Sequence, residues 1–424
     1  MCIVTHMAKA PGPPPRHVIV RAYVPFAAFG SFWGVWGASV PRIQQQAGIG
    51  DGRLGLALLF VGAGALPAML PAGRALDRWG PPVAAAAIAA LGLAGAVLSL
   101  TAVNTATLCA GLALVGAASG AADVTMNALA GRAEKIIGRP VLTRAHGVFS
   151  GMVVLASLAT GLASAASLPL AVPFVAVAVL CLLAGASLRK APASGVAVQG
   201  HDCVPAAALA PLGRREAVPL LLIGALGALA FASENAHQSW SAVFAHVELH
   251  SGEGLSAVAP AVFAGTVAIA RFSTGGLKAA HARTVLLAGA SAAAFGALVI
   301  AAAPTLVIAA LGLAAAAAGT AVLFPTLLGV VSANVDESRR GRATSVVTAV
   351  SYLGFLLGPV YVGLWAEAVG LRGAMVAVAA LAVLLFAFTP ALLQQSSPAH
   401  RRLRRKTAEK DEVSPQGSSS APRY

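Results

Sequence analysis

Apolar runs of about 20 residues, the length that crosses a hydrocarbon core of roughly 30 Å as α-helix, recur along almost the whole chain. Twelve lie near residues 18–41, 54–73, 82–103, 106–131, 144–166, 169–188, 217–245, 255–275, 284–303, 305–331, 343–366 and 372–393. Only 10% of the 424 residues are charged, against about 25% in an ordinary soluble protein. None of the runs alternates with a period of two, and inside lipid every backbone group must find its partner within the protein, so helices are expected and a barrel is not. The fold class read from this pattern is an all-α integral membrane protein of twelve transmembrane helices.

The basic residues orient it. With both termini inside, the stretches 1–21, 73–82, 131–144, 189–216, 271–283, 333–342 and the tail after 394 hold 26 of the 29 Lys and Arg, leaving only Arg42, Arg53 and Arg372 elsewhere. That asymmetry requires an even number of spans and places both termini on the cytoplasmic side of a cell membrane. The net charge of +14 is then read as contact with anionic lipid of the inner leaflet. Nucleic acid is not expected as a partner, although RRLRRK (401–406) is the one cluster that could tempt such a reading. Cys2, Cys109, Cys181 and Cys203 show neither disulfide nor metal-ligand spacing, so no metal or other cofactor is expected. The first fifteen residues, MCIVTHMAKAPGPPP, lack the order of a cleavable signal, and the first span is expected to be retained.

The longest internal polar stretch, RKAPASGVAVQGHDCVPAAALAPLGRRE (189–216), follows span six. The expected organisation is a cytoplasmic N-terminus over 1–17, a six-helix half over 18–188, a linker over 189–216, a second six-helix half over 217–393 and a disordered basic tail over 394–424. Shifting the first half by 203 residues lays Gly62 on Gly265, Gly116 on Gly319, Arg139 on Arg342 and Gly151 on Gly354. The Gly-Arg pairs 138–139 and 341–342 open spans five and eleven at the same distance from the next glycine. Parallel six-span repeats related by an axis along the membrane normal are one plan of secondary transporters, and the two halves are expected to be pseudo-symmetric.

The stretch between spans two and three, GRALDRWG (73–80), resembles the G-x-x-x-D-R-x-G loop signature of the major facilitator superfamily, at the place where that family carries it. The usual trailing basic pair is replaced by Pro81 and Pro82, and the second-half counterpart, GGLKAAHAR (275–283), keeps a glycine and lacks the aspartate. PRIQQQAGIGDGRLGLALL, ADVTMNALAGRAEKIIGRPVLTRAHGVFS and SENAHQSWSAVF resemble the YbjJ-type branch of bacterial inner-membrane permeases. The resemblance covers roughly residues 20–390 and implies transport of a small organic solute by alternating access, in a monomer. It also gives Gly73, Asp77, Arg78 and Gly80 the part of an inner gate motif. Drug antiporters of this family carry an arginine in span four and a glycine-proline motif in span five. Here those spans read LCAGLALVGAASG and GVFSGMVVLASLATG, which weakens an efflux reading without removing it.

Polar residues inside the spans are the candidates for the pathway. Gly116, Gly120, Asp123, Asn127 and Gly131 recur at helical spacing in TLCAGLALVGAASGAADVTMNALAG and form one narrow stripe. An aspartate near the centre of a lone helix costs about 2.5–3.5 kcal/mol. Asp123 and Asn127 are therefore expected either to line the cavity and bind protons or substrate, or to make an interhelical bond that fixes packing. In span seven, Glu234, Gln238 and Ser241 share a face, with His237 beside them and Trp240 flanking. This cluster is read as a second pathway site, against the plainer reading of a wet helix end. His146, at the start of span five, has the unperturbed pKa near 6.5 that suits a proton relay, or is simply solvated. Arg42, at the outer end of span one, either attracts an anionic solute or snorkels to the interface.

No GxxxxGK[ST] nucleotide site is present, so a nucleotide would have to come from a partner. An intramembrane enzyme is the rival from another class; it lacks HExxH, and GAASG (116–120) misses the spacing of a nucleophile elbow. The chain is read as a secondary transporter of a small organic solute, coupled to protons.

Overall fold

Caps and helix breakers decide where the spans end. The computed structural model describes residues 16–190, 214–274 and 281–396. Its helices are α1 Arg16–Ala47, α2 Asp51–Trp79, α3 Pro81–Thr101, α4 Thr105–Ile137, α5 Val141–Ala165, α6 Ala171–Lys190, α7 Arg214–Val247, α8 Glu253–Ser256, α9 Val258–Thr274, α10 Ala282–Ala302, α11 Leu306–Asn334 and α12 Glu337–Ser396. Asn104 caps α4 by accepting from the Thr107 N–H at 3.0 Å, and Thr305 caps α11 through the Ile308 N–H at 3.4 Å. Gly138 ends α4 in the left-handed conformation, which costs glycine little.

Helices overrun the apolar spans because their polar flanks are also helix formers. The segment RIQQQ (42–46) continues α1, and RALDRW (74–79), expected as a loop, is the last stretch of α2. Ala, Leu and Arg favour a helix, so the chain turns only at Gly80 (φ 71°), where Pro81 and Pro82 open α3. α8 and α9 are separated by Ala257 alone, whose backbone is itself helical. α12 folds at Gly370 (φ 77°, ψ 166°) into two arms. Ten helices are long and apolar enough to cross a membrane, counting Arg339–Ala391 once. With α1 and the Gly370 fold, the described residues form twelve long helical arms.

One apolar core runs through both halves, from Phe26, Phe32 and Ile43 in α1 to Trp240 in α7 and Val378 in α12. A second cluster binds Leu226 of α7 to Leu286, Leu323 and Val347. Outward, Val172, Val175, Val179 and Leu183 form an exposed apolar stripe on α6, and Leu93, Val97 and Leu100 do so on α3. Such a surface suits acyl chains rather than water.

Basic stretches such as 138–144 and 339–342, at helix ends, lie at one end of the bundle, here termed inner; the turns 48–50, 102–104, 166–170, 248–252 and Gly370 lie at the other, termed outer. Contacts between halves are dense at the outer end, and Gly147 of α5 also meets Phe272 of α9 toward the inner end. Gly55 of α2 and Gly363 of α12 meet backbone to backbone, Gly52 lies under Glu367, and Gly161 of α5 meets Gly254 of α8. Small residues permit this approach; a Cβ on Gly161 would strike the Gly254 carbonyl. Arg42 adds an ion pair to Glu253 at 3.2 Å, and Gln45 Nε2 donates to His246 Nε2 at 2.7 Å. The expectations for the N-terminus, linker and tail fall on residues largely outside those described, as do Cys2, Cys203, RRLRRK and most of GGLKAAHAR.

Candidate functional site

Glu234 lies four residues outward of the middle of α7 (Arg214–Val247), on a helix that is otherwise apolar over 220–232. Its Oε1 accepts from Arg271 Nη2 of α9 at 2.8 Å. Glu234 is 14% exposed and Arg271 47%, so the pair has one enclosed and one open member. An ionised carboxylate taken out of water needs such a partner. His146 of α5, in the other half, lies within electrostatic reach of Arg271 and meets the Phe26 ring edge-on at 5.1 Å. The pair therefore stands beside the boundary between the halves, where α5 and α9 also touch through Gly147 and Phe272.

Asp123 and Asn127 occupy the middle of α4. Asn127 Nδ2 donates to the Asp123 carbonyl at 2.9 Å and to its Oδ1 at 3.0 Å. The remainder of the stripe divides by function: Gly116 and Gly120 press against the Val61 and Ala65 carbonyls of α2, whereas Gly131 faces open space. Asp123 and Asn127 are half-buried, while Thr125 is buried and bonds back to the Ala121 carbonyl at 2.8 Å.

The other candidates separate. Gln238 is half-buried on the Glu234 face. Trp240 is fully buried and its Nε1 donates to the Pro359 carbonyl at 3.2 Å, which locks α7 onto α12. His237 and Ser241 also turn inward and line a cavity of about 10 Å³, too small for an organic solute; Ser241 is thereby taken from the face it was expected to share with Glu234. Arg42 is held by protein partners at the outer end. Besides Glu253, it donates to Ser164 Oγ at 3.2 Å and the Leu168 carbonyl at 3.0 Å, joining α1, α5 and α8 at the outer end. At the inner end, Asp77 accepts from Arg132 of α4 at 2.8 Å, while Arg78 lies over the Trp79 ring at 5.5 Å. Among the described residues no three His, Cys, Asp or Glu side chains gather as a metal site.

The sequence profile of the Major Facilitator Superfamily matches residues 23–281 and 278–422. The chain belongs to the Major Facilitator Superfamily. An uncharacterized MFS-type transporter of Yersinia pestis is 29% identical over 371 residues, 85% of this chain and 92% of its own length. Membrane protein MosC of Rhizobium meliloti is 25% identical over 356 residues, 82% of this chain and 84% of its own. In three dimensions the chain is similar to a bacterial homolog of the human lysosomal transporter Spinster in an inward-facing, occupied conformation, with TM-score 0.69, 17% identity and coverage of 91% and 98%. It is also similar to the xylose transporter XylE from E. coli, inward open, with TM-score 0.68, 13% identity and coverage of 88% and 95%.

This major facilitator is thus a multi-pass membrane transporter, and its GRALDRW segment forms the end of a helix. Three residues at the site escaped the sequence reading: Arg271, Glu253 and Arg132. Each is a charged residue near a helix end, where composition alone assigns it to solvent.

Proposed function

We propose that this transporter moves a small organic solute by alternating access and couples it to protons through Glu234. The observation that carries the reading is the Glu234–Arg271 ion pair. Protonating Glu234 removes the charge that holds α7 to α9, and α9 meets α5 through Phe272 and Gly147, as α8 does through Gly254 and Gly161. The proton state of one side chain is thereby connected to the surface on which the halves move. Asp123, whose bonds run only to Asn127, is the alternative carrier.

The enrichment of basic residues at one end supports a cytoplasmic-membrane protein with both termini inside, its basic end against anionic lipid. On that orientation the packed outer end describes an inward-facing state. A proton entering down a total electrochemical proton gradient of about 100 mV releases about 2.3 kcal/mol, enough to bias a co-transported solute roughly fiftyfold against its own gradient.

Replacing Glu234 by Gln imitates the protonated form. In proteoliposomes, Glu234→Gln is expected to bind and exchange solute while losing gradient-driven accumulation. Full uphill transport by Glu234→Gln with loss in Asp123→Asn would move the proton site to α4. Normal uphill transport by both would exclude coupling through either carboxyl.

A further inference from the structure

Arg271 is a fork of five N–H donors that cannot lose its charge, and Glu234 takes it through one oxygen, Oε1. Its side chain is nearly half exposed and stands beside the boundary between the halves, with His146 of the opposite half in electrostatic reach. Aromatic rings lie one helical turn from Glu234 and from His146 on their own helices. Phe231 lies one turn before Glu234 on α7, 4.3 Å from the Phe324 ring and 5.6 Å from Tyr352. Phe149 lies one turn after His146 on α5, 5.8 Å from the Phe29 ring. A carboxylate is the ligand chemistry that a guanidinium fork takes in two parallel hydrogen bonds, and flat apolar bodies are what such rings hold.

We infer that the solute is a small organic monoanion, a carboxylate on a flat apolar body, and that it binds by replacing Glu234 as the partner of Arg271. The inference rests on the proton-coupled reading above and gives it a substrate class. When Glu234 is ionised, the fork is occupied by the protein's own carboxylate. When Glu234 takes a proton, the solute carboxylate accepts from Arg271 in its place, and the number of charges facing the guanidinium is unchanged. Near this level among the described residues, the other ionisable groups on neighbouring elements are Arg144 and His146 of α5, Asp123 of α4, Tyr352 of α12, Tyr23 of α1 and His237 on α7 itself; α11 brings none. Arg271 is the permanent cation that holds Glu234, so the anion site is centred on it. A bound proton and a bound monoanion cancel in charge, so the loaded carrier crosses electroneutrally and follows the pH gradient rather than the voltage.

The test uses the purified full-length protein in detergent, with acetate, benzoate, phenylacetate and 2-naphthoate as probes and benzamide and benzylamine as neutral and cationic controls. Binding is read by thermal shift and titration at pH 5.5 and 8. Wild type is expected to bind an aromatic carboxylate at least tenfold tighter at pH 5.5 than at pH 8. Glu234→Gln should bind it equally at both, at least tenfold tighter than wild type at pH 8. Arg271→Gln should lose it, while Arg271→Lys retains part; both must elute as monodisperse protein to be scored. Failure of Glu234→Gln to bind any carboxylate in the series, or equal binding of benzamide, overturns the inference. If Glu234→Gln binds carboxylates as expected but reconstituted wild type accumulates benzoate without taking up protons, the coupling reading fails and the anion site stands.

Discussion

At the scale of single residues, the two membrane carboxyls have different company. Glu234 has a cation at 2.8 Å, whereas Asp123 has an amide. Both were visible in the sequence because a charged residue inside an apolar run is costly and stands out. Their surroundings were not. The bond from Glu234 to Arg271 joins residues 37 apart on different helices, and it depends on how those helices rotate against one another, which no periodicity within either records. Trp240, legible as an aromatic beside a polar cluster, proves to be a core side chain because its indole N–H reaches across to the Pro359 carbonyl of α12. For α4 the face itself was legible: Asp123 and Asn127 lie on one side and buried Thr125 on the other. In a background without native cysteine, cysteines at 123 and 127 are expected to react with a small water-soluble thiol reagent at least tenfold faster than cysteine at 125. Equal rates at all three would assign the pair to packing.

At the scale of elements, the lengths of helices came readily from hydropathy and their ends did not, since lipid-facing hydrophobicity stops before helix propensity does. GRALDRW shows this directly. As the last turns of α2, it places Asp77 beside Arg132 of α4, so the motif braces two helices of the first half. Both side chains are more than a third exposed, and an exposed pair contributes about 1 kcal/mol or less. Asp77→Asn should therefore express and unfold almost as wild type does. If Asp77 also favours closure of the inner end, the variant should raise labelling, from the cytoplasmic side, of cysteines placed in the interior. Unchanged labelling from both sides would reject that gating role. Glycine pairs such as Gly55 with Gly363 and Gly161 with Gly254 were present in the sequence, but among 45 glycines nothing local distinguishes those that cross between halves from those that pack within one.

At the scale of the whole molecule, the account requires that the seam seen here be one of two. In this state the outer end is held by Arg42 with Glu253, by Gln45 with His246 and by glycine contacts. Alternating access demands that these separate while the inner ends approach. The charges involved are partly exposed, so the latch is worth about 1 kcal/mol, a roughly fivefold change in the balance of states. The direct measurement is a pair of spin-label distances in lipid nanodiscs: Ala166 with Pro304 at the outer end, and Arg139 with Ala333 at the inner end. In wild type the outer distance should be short and narrowly distributed. In an Arg42→Ala, Glu253→Ala double variant a second population should appear, with the outer distance longer and the inner distance shorter. Distances that lengthen or shorten together at both ends, or an outer distribution unchanged in the double variant, would contradict the account.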